Sequence, residues 1–153
     1  MAEPASVIFV TGGGGYLGTQ IVGRLAGDPR FRVVSFDLRQ PSAKERLSSV
    51  EYVVGDVRDQ TLSDAIERVS PDVVVHLASI VNPGGPEKRE FEYSVDVGGT
   101  DNVLSASARA RVRHLIITSS GAAYGYHADN PVPLRESDPL RGNPEFPYAH
   151  HKR

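Results

Sequence analysis

Five short runs of Val, Ile and aromatic residues, each expected to be followed by a helical stretch, constrain this chain more than any other property. They are Val7–Val10, Arg32–Phe36, Glu51–Val54, Asp72–Val75 and His114–Ile117. Each is apolar nearly throughout rather than alternating, which is how strands read when both faces of a parallel sheet are covered. Helices must then do the covering. Ile21, Val22 and Leu25 recur at helical spacing before Gly27-Asp28-Pro29, and Leu62, Ala65, Ile66 and Val69 do so before Ser70-Pro71. The longest helical candidate is Pro86–Arg111, weakened at Gly98-Gly99 because each glycine costs about 1 kcal/mol relative to alanine. Strand followed by helix along one chain of 153 residues predicts a single α/β domain. Its expected form is a doubly wound parallel sheet of about five strands with right-handed crossovers, the Rossmann type.

Composition excludes several classes of function. Lys and Arg number 17 against 19 Asp and Glu, for a net charge of −2, and the basic residues are scattered. Such a surface offers no stripe for nucleic acid. With no cysteine there is no disulfide, thiolate metal site or cysteine nucleophile. No apolar run reaches the ~20 residues of a membrane span, and Met1-Ala2-Glu3-Pro4 lacks the pattern of a secretory leader, so a cytoplasmic protein without a membrane partner is expected.

Directly after the first strand comes Thr11-Gly12-Gly13-Gly14-Gly15-Tyr16-Leu17-Gly18, with Gly12, Gly15 and Gly18 spaced GxxGxxG where a helix opens. A cluster of glycines alone would mean only a flexible turn. Between a strand and a helix it lets backbone approach a pyrophosphate, and the first-turn N–H groups around Tyr16, Leu17 and Gly18 face the phosphates with the helix dipole behind them. Asp37 ends the second run about 20 residues on, where a carboxylate accepts both hydroxyls of an adenosine ribose and repels a 2′-phosphate. That favours NAD over NADP, although Arg39 lies close enough to offer a phosphate partner. Asp56, followed by Val57, ends the third run and is read either as an adenine contact or as a turn or cap residue. Leu77-Ala78-Ser79 closes the fourth run as a backbone wall for the cofactor, with His76 taken as structural.

Tyr148 and Lys152 are four apart and so share a helix face. An ammonium beside a phenol favours the phenolate that a general base requires. On its own Tyr-x-x-x-Lys is a common accident; here it accompanies Thr118-Ser119-Ser120-Gly121-Ala122-Ala123-Tyr124-Gly125 at the end of the fifth run. Ser120, or its neighbour Ser119, is placed to hold a substrate oxygen and share its proton with Tyr148, or else to cap local backbone. Residues 125–147 hold five of the eleven prolines and are expected to form an active-site loop over the sheet's carboxyl edge. Adjacent His150 and His151 point about 100° apart on a helix, a poor geometry for one metal ion.

In order, TGGGGYLG, the Asp37 strand end, GDVRD at Gly55–Asp59, HLAS, SSGAAYG and YAHHK resemble the extended short-chain dehydrogenase/reductase family, in particular its sugar-nucleotide epimerase/dehydratase branch of UDP-glucose 4-epimerase-like proteins. The resemblance implies NAD as cofactor and a nucleotide sugar as substrate. It assigns the base to Tyr148, ribose binding and tuning of the tyrosine to Lys152, and the hydroxyl contact to Ser120. Two departures are visible. The family's NVxGT reads Asp96-Val97-Gly98-Gly99-Thr100, an acid for an amide. Family members also run to about twice this length, so the chain is expected to be a truncated form lacking the C-terminal substrate-binding part, to bind NAD with little or no turnover, and to self-associate through exposed core surface. Two other readings stay open: a reductase or hydroxysteroid-type dehydrogenase, and a non-catalytic dinucleotide-binding module.

Overall fold

All five strands run parallel, in the order β3-β2-β1-β4-β5: β1 Ser6–Thr11, β2 Phe31–Asp37, β3 Val50–Val54, β4 Val73–His76 and β5 His114–Ile117. The computed structural model describes residues 5–82 and 84–153; Met1–Pro4, on which the expectation about a leader rests, lie outside them. Thr11 is level with Phe36 on one side and with His76 on the other, and His76 with Ile117, so the carboxyl ends form one rim. Chain order reverses between β1 and β4, the place on such a sheet where a crevice opens.

The helices are α1 Tyr16–Ala26, α2 Gln60–Val69, α3 Arg89–Tyr93, α4 Gly99–Arg109 and α5 Pro147–His151. On one face Phe9, Val34, Phe36 and Val74 pack on Leu62, Ala65, Ile66 and Val69 of α2 and on Val103 and Ala106 of α4. On the other, Ile8, Val10, Val33 and Val75 pack on Val22 and Leu25 of α1. Each fully buried Leu, Ile or Phe contributes about 1.5–3 kcal/mol, which is why continuous apolar strands demand cover on both sides. Among the described residues no helix is long and apolar enough to cross a membrane.

Three local expectations are corrected. Between β2 and β3 residues 38–49 form turns with no helix; this stretch carries Pro41 and mostly polar side chains, leaving no apolar stripe to bury. The candidate helix from Pro86 onward divides into a 3₁₀ turn at Pro86–Lys88, α3, a π turn at Ser94–Gly98 and then α4. Gly99 is needed there because a Cβ would meet Val57 Cγ2 at 2.7 Å. Lastly, β5 is not a covered strand: it pairs with β4 alone, and Ile116 and Ile117 are 53% and 40% exposed, since α1 reaches only as far as the strands around β1.

Residues 125–147 are closed by a clasp at their base. Tyr126 N donates to Asn143 Oδ1 at 2.7 Å, His127 Nε2 to Gly142 O at 2.8 Å, and Gly142 N to Ala123 O at 2.9 Å. Further out, Arg141 pairs with Asp129 at 2.9 Å.

Candidate functional site

The glycine loop lies across the rim in backbone contact with the end of β4. Gly12 has φ +69°, and a Cβ on it would stand 2.6 Å from Ala78 N; one on Gly18 would stand 2.1 Å from Gly12 O. No side chain caps α1 at Gly15, so its first-turn N–H groups, from Tyr16 onward, have no side-chain acceptor. Tyr16 and Leu17 themselves point outward, 91% and 49% exposed. Asp37 Oδ2 accepts from Gly14 N at 3.0 Å and Oδ1 from Arg39 N at 3.3 Å, which fixes the carboxylate beside the loop.

A crevice of about 330 Å³ runs from Gly12 and Gly15 past Asp37, Asp56 and Val57 to Leu77, Ala78 and Ser79. The fold thus brings most of the sequence-predicted cofactor residues to one cavity; Tyr16, Leu17, the buried Gly18 beneath the loop, Tyr148 and Lys152 are not among its lining. Phe36, Ile80, Phe91 and Val95 line it as well, and sequence reasoning missed them because apolar side chains carry no chemical signature. Asp56 is engaged by Arg58 at 2.6 Å, and the hydrogen bond from that guanidinium holds its carboxyl below the ordinary range. The same guanidinium lies 4.8 Å from the centroid of the Phe91 ring. A larger cavity of about 840 Å³ also borders Asp37, lined by Gly13, Thr19, Arg39 and Tyr52 among others.

The proton-bearing residues gather at the end of β5. Lys152 Nζ donates to Thr118 O at 3.0 Å and lies 5.7 Å from the centroid of the Tyr148 ring, and burial lowers the lysine pKa against the opposing pull of Asp96. Phe146 flanks Tyr148 at 6.1 Å between centroids. Ser119 Oγ donates to Lys152 O at 3.2 Å. Ser120 Oγ accepts from Ala122 N at 3.2 Å and so caps the turn Gly121–Tyr124. Among the described residues no hydrogen bond joins Ser120 to Tyr148.

Two polar groups beneath the rim were legible only as oddities of sequence. His76 Nδ1 lies 2.6 Å from Thr11 Oγ1 and Nε2 lies 3.0 Å from Thr100 Oγ1, while the Thr100 hydroxyl donates to Asp96 O at 2.5 Å. With its proton committed to Asp96, Thr100 accepts from His76 Nε2–H, and Nδ1 accepts from Thr11, which assigns a neutral ring. Burial, with Lys152 adding to it, pushes the His76 pKa from 6.5 down to about 4. The unfolded chain therefore takes up a proton between those values that the native chain refuses. Stability should be complete above pH 6.5 and fall as pH drops toward 4, by roughly 3 kcal/mol in all. His150, lowered by the same cause, adds in the same direction. Urea midpoints across this window should slope steeply in the wild type and markedly less in His76→Gln. The second oddity is Asp96, whose Oδ2 is 3.0 Å from His151 Nδ1, both side chains being buried.

Residues 8–153 match the NAD dependent epimerase/dehydratase family. UDP-glucose 4-epimerase of Yersinia pestis is 35% identical over an alignment of 155 positions, gaps included, that covers 95% of this chain and 45% of that protein. The 3 beta-hydroxysteroid dehydrogenase type 7 of Rattus norvegicus is 36% identical over an alignment of 152 positions that covers 95% of this chain and 43% of its own length. A crystal structure of a short-chain dehydrogenase/reductase superfamily protein from Agrobacterium tumefaciens with bound NAD superposes with a TM-score of 0.80 at 36% identity, covering 95% of this chain and 42% of that one. The chain spans about half the length of the curated relatives it matches. With its glycine loop, parallel sheet and Tyr-Lys turn all on the matched stretch, this chain belongs to the NAD dependent epimerase/dehydratase family.

Proposed function

We propose that these 153 residues are the NAD-binding portion of an enzyme that oxidises a hydroxyl of a nucleotide sugar, as an epimerase or dehydratase does. The observation that carries the reading is the crevice between the glycine loop, Asp37 and Leu77–Ser79, with Tyr148 and Lys152 at the adjoining strand end. Its residues fit a dinucleotide. A Cβ at Gly12 or Gly18 would strike the main chain that shapes the cradle, the uncapped start of α1 supplies donors for a diphosphate, and Asp37 supplies an acceptor for ribose hydroxyls.

Bound NAD supplies a hydride acceptor. For their part, Tyr148 takes the proton of the sugar hydroxyl, Lys152 holds the ribose and favours the phenolate, and Ser120, once its hydroxyl turns from Ala122 N, holds the reacting oxygen. The pocket for the sugar would be supplied by sequence beyond the matched half of the family, so these residues by themselves bind cofactor with little or no turnover. The exposed Ile116 and Ile117 favour self-association of this portion. A cytoplasmic setting and the absence of a nucleic-acid partner remain part of the same reading.

Calorimetric titration with NAD tests it directly. Saturable binding below millimolar cofactor is expected, with NADP weaker because Asp37 repels a 2′-phosphate; heats of dilution alone up to millimolar NAD would remove the reading. The rat relative favours a second reading in which the substrate is a hydroxysteroid. A panel of sugar nucleotides and hydroxysteroids, offered to a protein of full family length, separates the two.

A further inference from the structure

We propose that Asp96 and His151 form a positioning couple that ties the Tyr148–Lys152 turn to the wall of the cofactor crevice, so that filling the crevice and ordering that turn are one event. The proposal rests on the NAD-binding reading above. Its starting point is that α5, Pro147–His151, is tied to the end of β5 through Ser119 and Lys152, whereas its link to the crevice wall after β4 runs through a different group.

Asp96 supplies that link. One of its oxygens, Oδ1, accepts from Ser79 Oγ at 3.0 Å and from Ile80 N at 2.8 Å, both on the segment that lines the crevice after β4. The other, Oδ2, accepts from His151 Nδ1 at 3.0 Å, on the catalytic turn. One carboxylate thus serves as acceptor for two segments that no strand or helix joins. Its side chain is 1% exposed and that of His151 is 6% exposed, so neither partner has water to fall back on. The His151 ring also stands edge-on to Tyr93, with centroids 5.6 Å apart and planes at 80°, which fixes the ring about its own axis.

The backbone is shaped for this contact. Asp96 lies inside the π turn Ser94–Gly98, at the junction of α3 and α4, and such single turns accumulate where a helix must re-aim a side chain at a functional site. An apolar pair of the same volume would pack this space at lower desolvation cost. What the polar pair adds is direction: a donor on the turn and donors on the wall must all face the same carboxylate. Pressing a dinucleotide against Ala78 and Ser79 then orders Ile80 N, Asp96, His151 and finally Tyr148 and Lys152.

The test uses the present chain, NAD, and two observables. Calorimetry gives NAD affinity for wild type, His151→Asn and His151→Leu. Asparagine carries an amide N–H close to where the imidazole Nδ1–H sits, and leucine carries none. His151→Leu should bind NAD about tenfold more weakly, while His151→Asn should stay within about threefold of wild type. In addition, the Nδ1–H resonance of His151 in wild type, identified by its loss in His151→Asn, should shift on saturation with NAD. A wild type that fails to bind NAD would sink the functional reading itself. A wild type that binds, with a folded His151→Leu of equal affinity, would overturn the couple. Should His151→Leu not fold, the resonance decides: a shift supports the coupling, and an unmoved signal refutes it.

Discussion

Gly18→Val is expected to yield a chain that unfolds at lower urea than wild type and binds NAD at least a hundredfold more weakly. A Cβ at this position would lie 2.1 Å from Gly12 O, 2.7 Å from Gly13 Cα and 2.8 Å from Gly13 C. All three are main-chain atoms, so no rotamer change relieves the clash. Either α1 withdraws from the loop or the loop lifts from β4, where Gly12 already touches Ala78. Overpacking a tight site costs about 1–3 kcal/mol of stability even where side chains can move; separately, moving the cradle away from the diphosphate removes its main-chain donors, and losing about 2.8 kcal/mol of binding free energy is the hundredfold. Gly23 is the control on the same helix. It has nothing within 4 Å of its would-be Cβ, and Gly23→Ala should raise stability by about 0.5–1 kcal/mol with NAD affinity unchanged. Equal behaviour of the two variants would mean that the loop is not the tight cradle described.

Tyr148→Phe, in a protein of full family length containing these residues, is expected to lower turnover by about 10²–10⁴-fold while leaving NAD affinity within a factor of about two. The ring is retained, so packing on Phe146 and the nearby Lys152 Nζ persists. Only the hydroxyl that exchanges the proton is lost. Following NADH absorbance or product formation with a sugar nucleotide, beside calorimetry, measures both quantities. Unchanged turnover would mean that Tyr148 is not the base, whereas absence of turnover in wild type and variant alike would point to the third reading, a dinucleotide-binding module without catalysis.

The sheet was legible because each strand is a nearly continuous apolar run, and runs such as Val7-Ile8-Phe9-Val10, short, rich in β-branched residues and bounded by turn signals, fit doubly covered parallel strands. Where the sequence misled, a local rule was overridden by what lay nearby in space. Gly98-Gly99 reads as a helix breaker, yet Val57 presses on Gly99 and the helix continues through a π turn. Ile116 and Ile117 read as core, but burial depends on which partner covers a strand, which no run of letters reports. At the crevice, a distinctive spacing singled out residues such as Gly12, Gly15 and Asp37 that the fold brings together, whereas the apolar residues that shape it, such as Phe91 and Val95, carried no signal. Asp96 was visible only as an acid in place of an amide, and His151 only as half of an unpromising metal pair. Their pairing spans 55 positions and has no local pattern.

The clasp formed by Tyr126, His127, Gly142 and Asn143 has a bearing on how such proteins diversify. It pins the two ends of the arc independently of what lies between them, and doubling the length of a closed loop costs only about 0.6 kcal/mol. The outer stretch from Asp129 to Arg141 can therefore accept insertions and new side chains while the one-turn helix behind it keeps its place. Evolution is free to rewrite what this rim admits without renegotiating the machinery beneath it.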